Sequence, residues 1–234
     1  MRLTLLFPTM PEIPSSLRQI GMIGQKVYDM PGGQVLCTGV GKTIATVMAE
    51  HRRTLQPGVC VLLGYAGAID SCFATGDVVM CKQFCREGQA ALDAHKLCHR
   101  LAQELRQAGI VVHAGKSYTV DRVIADFTEK LRLAELGGAI VEMENYFAAE
   151  AAQRLGIPLV CLRVVFDTLA DRLPDLTDTM TAHGELSRGL MLHHLLKTPS
   201  HIASLWQLVR AKQIAAPVLA SCSRNICKIV GSKL

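Results

Sequence analysis

The chain has 234 residues, of which 50% are apolar, 19% charged and 5% aromatic. This composition excludes a disordered chain, and no apolar run reaches the about 18 residues that a membrane-spanning helix needs. The net charge of +5 is uneven, because residues 186–234 carry seven Lys or Arg residues and no acid. This tail favours an acidic partner, but without a recognisable binding motif no nucleic acid is expected.

The first apolar run, over residues 2–7, predicts a strand and is too short for the core of a signal peptide. We therefore expect a cytoplasmic protein. The chain has nine cysteines, several of them inside apolar strands, which indicates buried free thiols. Cys81, Cys85 and Cys98 with His99 lack the Cys-x-x-Cys spacing of structural zinc, so we expect neither a metal nor an organic cofactor.

Short apolar runs alternate with helix-like segments, which is typical of α/β proteins. The predicted strands cover residues 2–7, 34–38, 59–64, 77–81, 110–120, 139–143 and 158–166. The predicted helices cover residues 42–55, 89–108, 125–136 and 145–155. Continuously apolar strands are usually covered on both faces, so we predict a three-layer α/β fold whose central sheet is mainly parallel and flanked by helices. Residues 1–234 are expected to form one domain, with a basic helical extension over 184–234.

Two glycine-rich turns follow predicted strands, where the ligands of open α/β sheets bind. They are Gly39-Val40-Gly41-Lys42 and Gly64-Tyr65-Ala66-Gly67. Glycine lets the backbone approach a ligand closely, but a tight strand-to-helix turn would explain the first segment equally well.

Two acids end apolar strands further along the chain. Glu144 follows strand 139–143 and Asp167 follows strand 158–166, with Arg163 inside the second strand. Two parallel strands joined by one crossover helix usually lie close together, so both acids are expected at one sheet edge. There a carboxylate can accept sugar hydroxyls and a second acid can protonate a leaving group. Alternatively, Glu144 caps the following helix and Asp167 begins a surface loop.

These four segments, in this order and spacing, resemble the purine nucleoside phosphorylase and nucleosidase superfamily, in particular methylthioadenosine/adenosylhomocysteine nucleosidases. The similarity covers residues 35–171 and includes Val141-Glu142-Met143-Glu144 and Arg163-Val164-Val165-Phe166-Asp167. It implies a phosphorylase/hydrolase-like fold, cleavage of the N-glycosidic bond of a purine nucleoside, and a homo-oligomer, with a dimer favoured.

The resemblance also implies roles for single residues. Glu144 would bind the ribose hydroxyls, Asp167 would protonate N7 of the base, and Arg163 would orient the carboxylates. Glu12, the one acid in the first 28 residues, is the candidate for activating water. The remaining residues expected to contact the substrate are Met143, Glu142, Phe166, Ala66, Gly67, Tyr65, Val123 and Ile124.

Two positions depart from the family pattern, and Glu12 lies one residue out of frame with the acid that helps to activate water in the nucleosidases. Phe166 stands where Ser is frequent, and Tyr65 stands where a small hydroxyl residue is usual. Phosphorolytic relatives have an Arg at the position of Leu62, which cannot form the charge-assisted pair that phosphate needs. Water is therefore the expected nucleophile. Phosphorolysis, and a non-catalytic nucleoside-binding module, are the alternatives.

The segment Asp167–Asp171 with Leu173-Pro174, and the tail with Leu195–Pro199 and Ile202–Arg210, resemble the hopanoid-associated branch of the superfamily. That resemblance implies release of adenine from adenosylhopane; methylthioadenosine or adenosylhomocysteine is the alternative substrate. Residues 200–212 predict a helix with Leu205, Leu208 and Val209 on one face. This face either packs on the sheet or lies on an anionic membrane surface, close to a lipid-linked substrate.

Overall fold

The computed structural model describes residues 2–18, 22–23, 27–56, 58–171 and 202–233. The strands are β1 (Arg2–Phe7), β2 (Met22–Ile23), β3 (Val27–Met30), β4 (Gly33–Cys37), β5 (Gly58–Ala68), β6 (Val78–Cys85), β7 (Leu92–Asp93), β8 (Val112–Thr119), β9 (Ile140–Glu142) and β10 (Leu159–Asp167). The helices are α1 (Ser15–Arg18), α2 (Thr43–Glu50), α3 (Arg52–Leu55), α4 (Leu97–Gln107), α5 (Phe127–Glu135), α6 (Asn145–Leu155) and α7 (Ile202–Lys233), with a 3₁₀ helix at Met10–Glu12.

The strands form one mixed sheet that closes on itself. Strands β5, β10, β6, β8 and β9 form a closed ring of pairings, and β1, β4, β3 and β2 extend from β5. Half of the pairings are parallel, such as β1–β5 and β5–β10, and half are antiparallel, such as β6–β10 and β5–β9. The α/β class is confirmed, but the prediction of a mainly parallel sheet is wrong. Side chains fill the interior of a small barrel, so its strands are apolar on both faces whatever their direction.

The prediction that the last two strands run parallel to each other is also wrong. Between β9 and β10 lies β5, which is antiparallel to β9 and parallel to β10. Gly67 of β5 pairs with Val141 on one side and with Asp167 on the other. The two segments that carry the candidate acids are therefore brought together across β5.

Helices cover both sides of the sheet. The apolar residues of α2 and α6 pack with one face of β5 and β10, through side chains such as Met48, Leu62 and Cys161. The opposite faces pack with α4 and α7, through side chains such as Leu101, Val160 and Leu219. This two-sided burial accounts for the continuous apolar runs of β5 and β10.

Helix α7 runs antiparallel to β10. Ile229 and Val230 line a small apolar cavity together with Val59 and Val160, at the start of β5 and β10. Ile214 approaches Gly76, whose backbone N–H donates to the Val165 carbonyl near the end of β10. The first turns of α7 therefore extend beyond the carboxyl end of that strand.

The structure tests part of what was predicted for the tail. A helix begins at Ile202, as predicted, and Leu208 is half-buried while Val209 and Trp206 are 50% and 72% exposed. Leu173-Pro174 and Leu195–Pro199 lie outside the described residues. None of the described helices combines the length and the apolar character required to cross a bilayer.

Candidate active site

The site is built around the guanidinium of Arg163, which is fully buried in the middle of β10. Its Nη2 donates to Glu144 Oε2 at 3.0 Å and to Glu142 Oε2 at 3.2 Å. Both Nη2 and Nε also donate to Asn145 Oδ1, at 2.8 and 3.0 Å. A buried charge without partners would cost several kcal/mol. The acceptors therefore stabilise the guanidinium, and the guanidinium in turn holds them in position.

Glu142 supports this network from the end of β9. Its Oε2 accepts the backbone N–H groups of Glu144 and Asn145, at 2.7 and 2.6 Å, which are free donors at the start of α6. The hydroxyl of Thr119 donates to its Oε1. Burial raises the pKa of Glu142 to about 7, against the opposing effect of Arg163. Both oxygens of Glu142 accept hydrogen bonds from the protein, so Glu142 stabilises the start of α6 next to Glu144.

Glu144 joins β9 to the first glycine turn. Its side chain is 4% exposed, with Oε2 on Arg163 and Oε1 accepting the backbone N–H of Gly41 at 3.1 Å. Gly41 has φ +67°, a conformation that suits glycine, and this conformation presents its N–H to the carboxylate. The turn therefore has a role in the site beyond joining a strand to a helix.

Glu12 reaches the same cluster from the end of β1. Its Oε2 accepts the N–H and the hydroxyl of Thr9, at 2.9 and 2.8 Å, and its Oε1 accepts the Tyr65 N–H at 3.0 Å. Enclosure of the carboxylate raises the pKa of Glu12, and the neighbouring Glu144 raises it further. A carboxylate with a raised pKa is a stronger base, as activation of water requires.

Gly64 allows Arg163 and Glu12 to meet. A Cβ atom at this position would lie 2.5 Å from Arg163 Nη1 and 2.8 Å from Glu12 Oε1. Gly67 does the same for Asp167, whose Oδ2 would lie 2.9 Å from a Cβ at that position. The two glycines, which the structure places within β5 rather than in a turn after it, thus form the floor of the site.

Asp167 forms an ion pair that the sequence did not indicate. The ammonium of Lys130, on α5, donates to Asp167 Oδ2 at 2.6 Å, and both residues are buried. Burial raises the pKa of Asp167, while Lys130 opposes this effect. The acid at the end of β10 therefore lies in an enclosed, charge-paired environment, not in a surface loop.

The remaining predicted contacts are divided. The rings of Tyr65 and Phe166 pack with centroids 5.1 Å apart, and both are half-buried. Met143 is half-buried beside Glu144, while Ala66 is buried in the core. Val123 and Ile124 lie in different environments. Ile124 packs with Val141, which is next to Gly67, whereas Val123 is 44% exposed.

Sequence reasoning missed Asn145 and Lys130. Asn145 directly follows Glu144 and receives two Arg163 donors, so its place next to a candidate acid was the available signal. Lys130 gave no such signal, because a lysine in an amphipathic helix is normally solvated.

Comparisons with known proteins show the family to which the chain belongs. The sequence model of the phosphorylase superfamily matches residues 34–193, more than half of the chain. The chain belongs to the phosphorylase superfamily. None of the curated proteins matches it.

Several solved structures share the fold of this superfamily member. One is the methylthioadenosine/adenosylhomocysteine nucleosidase of Neisseria meningitidis with methylthio-immucillin-A, at 17% identity, TM-score 0.70, and coverage of 97% of this chain and 98% of the other. The corresponding Colwellia psychrerythraea nucleosidase with adenine has 18% identity, TM-score 0.68, and coverage of 97% and 95%. Futalosine hydrolase of Helicobacter pylori has 17% identity, TM-score 0.67, and coverage of 96% and 97%. The predicted family is confirmed, and so is the prediction that the chain is an enzyme of this superfamily.

Gly64→Ala tests the floor of the site. The added methyl would displace Arg163 and Glu12, so we expect a loss of about 1–3 kcal/mol in the free energy of unfolding, measured in urea. Gly231→Ala is the control, because no atom lies within 4 Å of the added methyl. Equal stability of the two variants would contradict the close approach at Gly64.

Proposed function

We propose that the chain hydrolyses the N-glycosidic bond of an adenine nucleoside and releases adenine. The observation that carries this proposal is the placement of three enclosed carboxylates along one short piece of β5. Glu12 and Glu144 lie with Arg163 at Gly64, and Asp167 lies at Gly67. Three residues of strand span about 10 Å, which leaves room for water, ribose and the base edge between the two ends.

Each acid has a role that fits its partners. Asp167 gives its proton to N7 of the base as the bond from the sugar to N9 breaks. The positive charge that develops on the ribose is stabilised by the excess of carboxylates over Arg163 in this cluster. Glu144 accepts the ribose hydroxyls, and Glu12 takes a proton from the water that attacks the anomeric carbon. The similar folds of nucleosidases, one solved with adenine, support this assignment.

Replacing the acids by amides tests these roles. Asp167→Asn keeps the shape but cannot donate the proton, so the rate of adenine release should fall by about 100-fold or more while nucleoside binding persists. Glu144→Gln should weaken ribose binding and turnover together. Asp29→Asn, on a half-exposed side chain of β3, is the control. Adenine release by the Asp167 variant at the normal rate would remove the assignment.

Water is favoured over phosphate as the nucleophile. Leu62 is completely buried in the core and Tyr65 carries an aromatic ring, so neither of these two positions supplies a charge for phosphate. The nearby guanidinium of Arg163 is already occupied by Glu142, Glu144 and Asn145.

The sugar product decides between the two nucleophiles. We expect free sugar, and a rate that does not rise with added phosphate, in an assay that identifies the product by mass spectrometry. A sugar 1-phosphate as the main product would show that the enzyme is a phosphorylase.

The substrate is proposed to carry an apolar group, as adenosylhopane does. Tyr65 directly follows Gly64 and Phe166 directly precedes Asp167, and their half-buried rings pack together, which supports an apolar surface next to the site. Methylthioadenosine and adenosylhomocysteine remain the alternative substrates, and comparison of kcat/KM across the three nucleosides distinguishes them. A homodimer also remains a prediction.

Contact with an anionic membrane would bring such a substrate to the site. Exposed Trp206 and Val209 lie near exposed Arg210 and Lys212 in the first turns of α7, within about 12 Å of helix before Ile214. This segment projects past the carboxyl end of β10, where Asp167 lies. Aromatic, apolar and basic side chains together are typical of helices that lie on bilayers.

Sedimentation with vesicles of anionic lipid, at low and high salt, tests this contact. The double variant Arg210→Gln/Lys212→Gln should bind less, since each basic residue contributes about 1 kcal/mol near such a surface. Arg52→Gln/Arg53→Gln, in exposed α3, is the matched control. Equal binding of both double variants, or no salt-sensitive binding, would contradict the contact.

A further inference from the structure

Helix α5 buries a charged residue and exposes apolar ones, which is the reverse of the usual pattern. It buries the side chain of Lys130 completely, while Phe127 and Leu131 are 50% and 39% exposed. Lysine is almost never fully buried unless it is paired, because removal of the ammonium from water is costly. An apolar residue at position 130 would avoid that cost. The lysine therefore needs an explanation in what it contacts.

Lys130 holds the end of β10 at two points. Its Nζ donates to Asp167 Oδ2 at 2.6 Å and to the Thr168 carbonyl at 2.9 Å. The position of that carbonyl is itself set by Asp171, whose Oδ2 accepts the N–H and the hydroxyl of Thr168, both at 2.8 Å. With Oδ2 held by the ammonium and the carboxyl group lying over Gly67, the orientation of Asp167 is determined.

The charges around Asp167 oppose one another. Burial raises the pKa of its carboxyl group above the usual value, which favours the protonated form. Lys130 lowers that pKa and Asp171 raises it. On the side of Asp167 opposite Lys130 lies Gly67 of β5, which adds no charge.

We propose that Lys130 is a positioning residue for the cleavage of the glycosidic bond: it orients Asp167 toward the base and stabilises the carboxylate that remains once Asp167 has given up its proton. This inference rests on the proposed function. In the step itself, the C1′–N9 bond breaks, its electron pair goes to the base, and the Asp167 proton moves to N7. A bare carboxylate in this enclosed place would be costly, and the ammonium of Lys130 compensates for it.

The variant Lys130→Met tests this role through the pH dependence of kcat. Loss of the ammonium raises the pKa of Asp167 and makes it a weaker acid. Activity requires protonated Asp167 and falls as pH rises through its pKa, so this alkaline limb should move to higher pH by about one to three pH units. At the plateau kcat should fall at least about tenfold, with a smaller change in KM, because the loss concerns the transition state.

Two further variants separate charge from structure. Lys130→Arg keeps the positive charge and should keep the alkaline limb near its wild-type position. Arg132→Met, two residues along the same helix but exposed, should leave both kcat and the limb unchanged. Should Lys130→Met fail to fold, Lys130→Gln gives the same two readouts without the charge.

The outcomes distinguish this inference from the proposed function. An active wild-type enzyme whose Lys130→Met variant keeps its alkaline limb and its kcat per folded molecule would overturn the role of Lys130 alone. A purely structural lysine would lower the amount of folded enzyme without moving the limb, and would overturn it equally. A folded wild type that releases no base from any nucleoside would overturn the proposed function, and the inference with it.

Discussion

The burial of Arg163 is the constraint on which the rest of the site depends. Its guanidinium lies inside the sheet, where it must be compensated by acceptors, and Glu142, Glu144 and Asn145 supply them. These three acceptors follow one another around the junction of β9 and α6. Removal of any one would leave a buried polar group without its partner, so the site and the local fold stabilise each other.

The same cluster contains more negative than positive charge. Glu142, Glu144 and Glu12 surround one guanidinium; burial raises the pKa values of Glu142 and Glu12, and the neighbouring Glu144 raises them further. Such an excess is unfavourable in the free protein, but it matches the positive charge that the proposed reaction develops on the ribose. At the other end of the site, Asp167 has its own cation in Lys130. In the proposed reaction, one end of this stretch of β5 stabilises positive charge and the other end delivers a proton.

The glycines of β5 make this separation possible. Gly64 admits Arg163 and Glu12, and Gly67 admits Asp167, each at a distance that a side chain on β5 would not allow. Between them, Tyr65 contributes its backbone N–H to Glu12 and its ring to the contact with Phe166. Tyr65 and Phe166 therefore contribute apolar surface, while other residues form the charged network.

The fold class and part of the candidate site could be predicted from the sequence, because local residue patterns reflect local structure. The alternation of apolar runs and helices predicted the α/β class, and acids at strand ends made Glu144 and Asp167 candidates for the site. Strand direction was not readable, since β5 and β10 are apolar on both faces in a barrel as they would be in an open parallel sheet. The ion pair between Lys130 and Asp167 could not be predicted either, because it joins residues 37 positions apart. Only the tertiary structure decided these points: pairing and charge compensation depend on which surfaces meet, and a single chain segment does not contain that information.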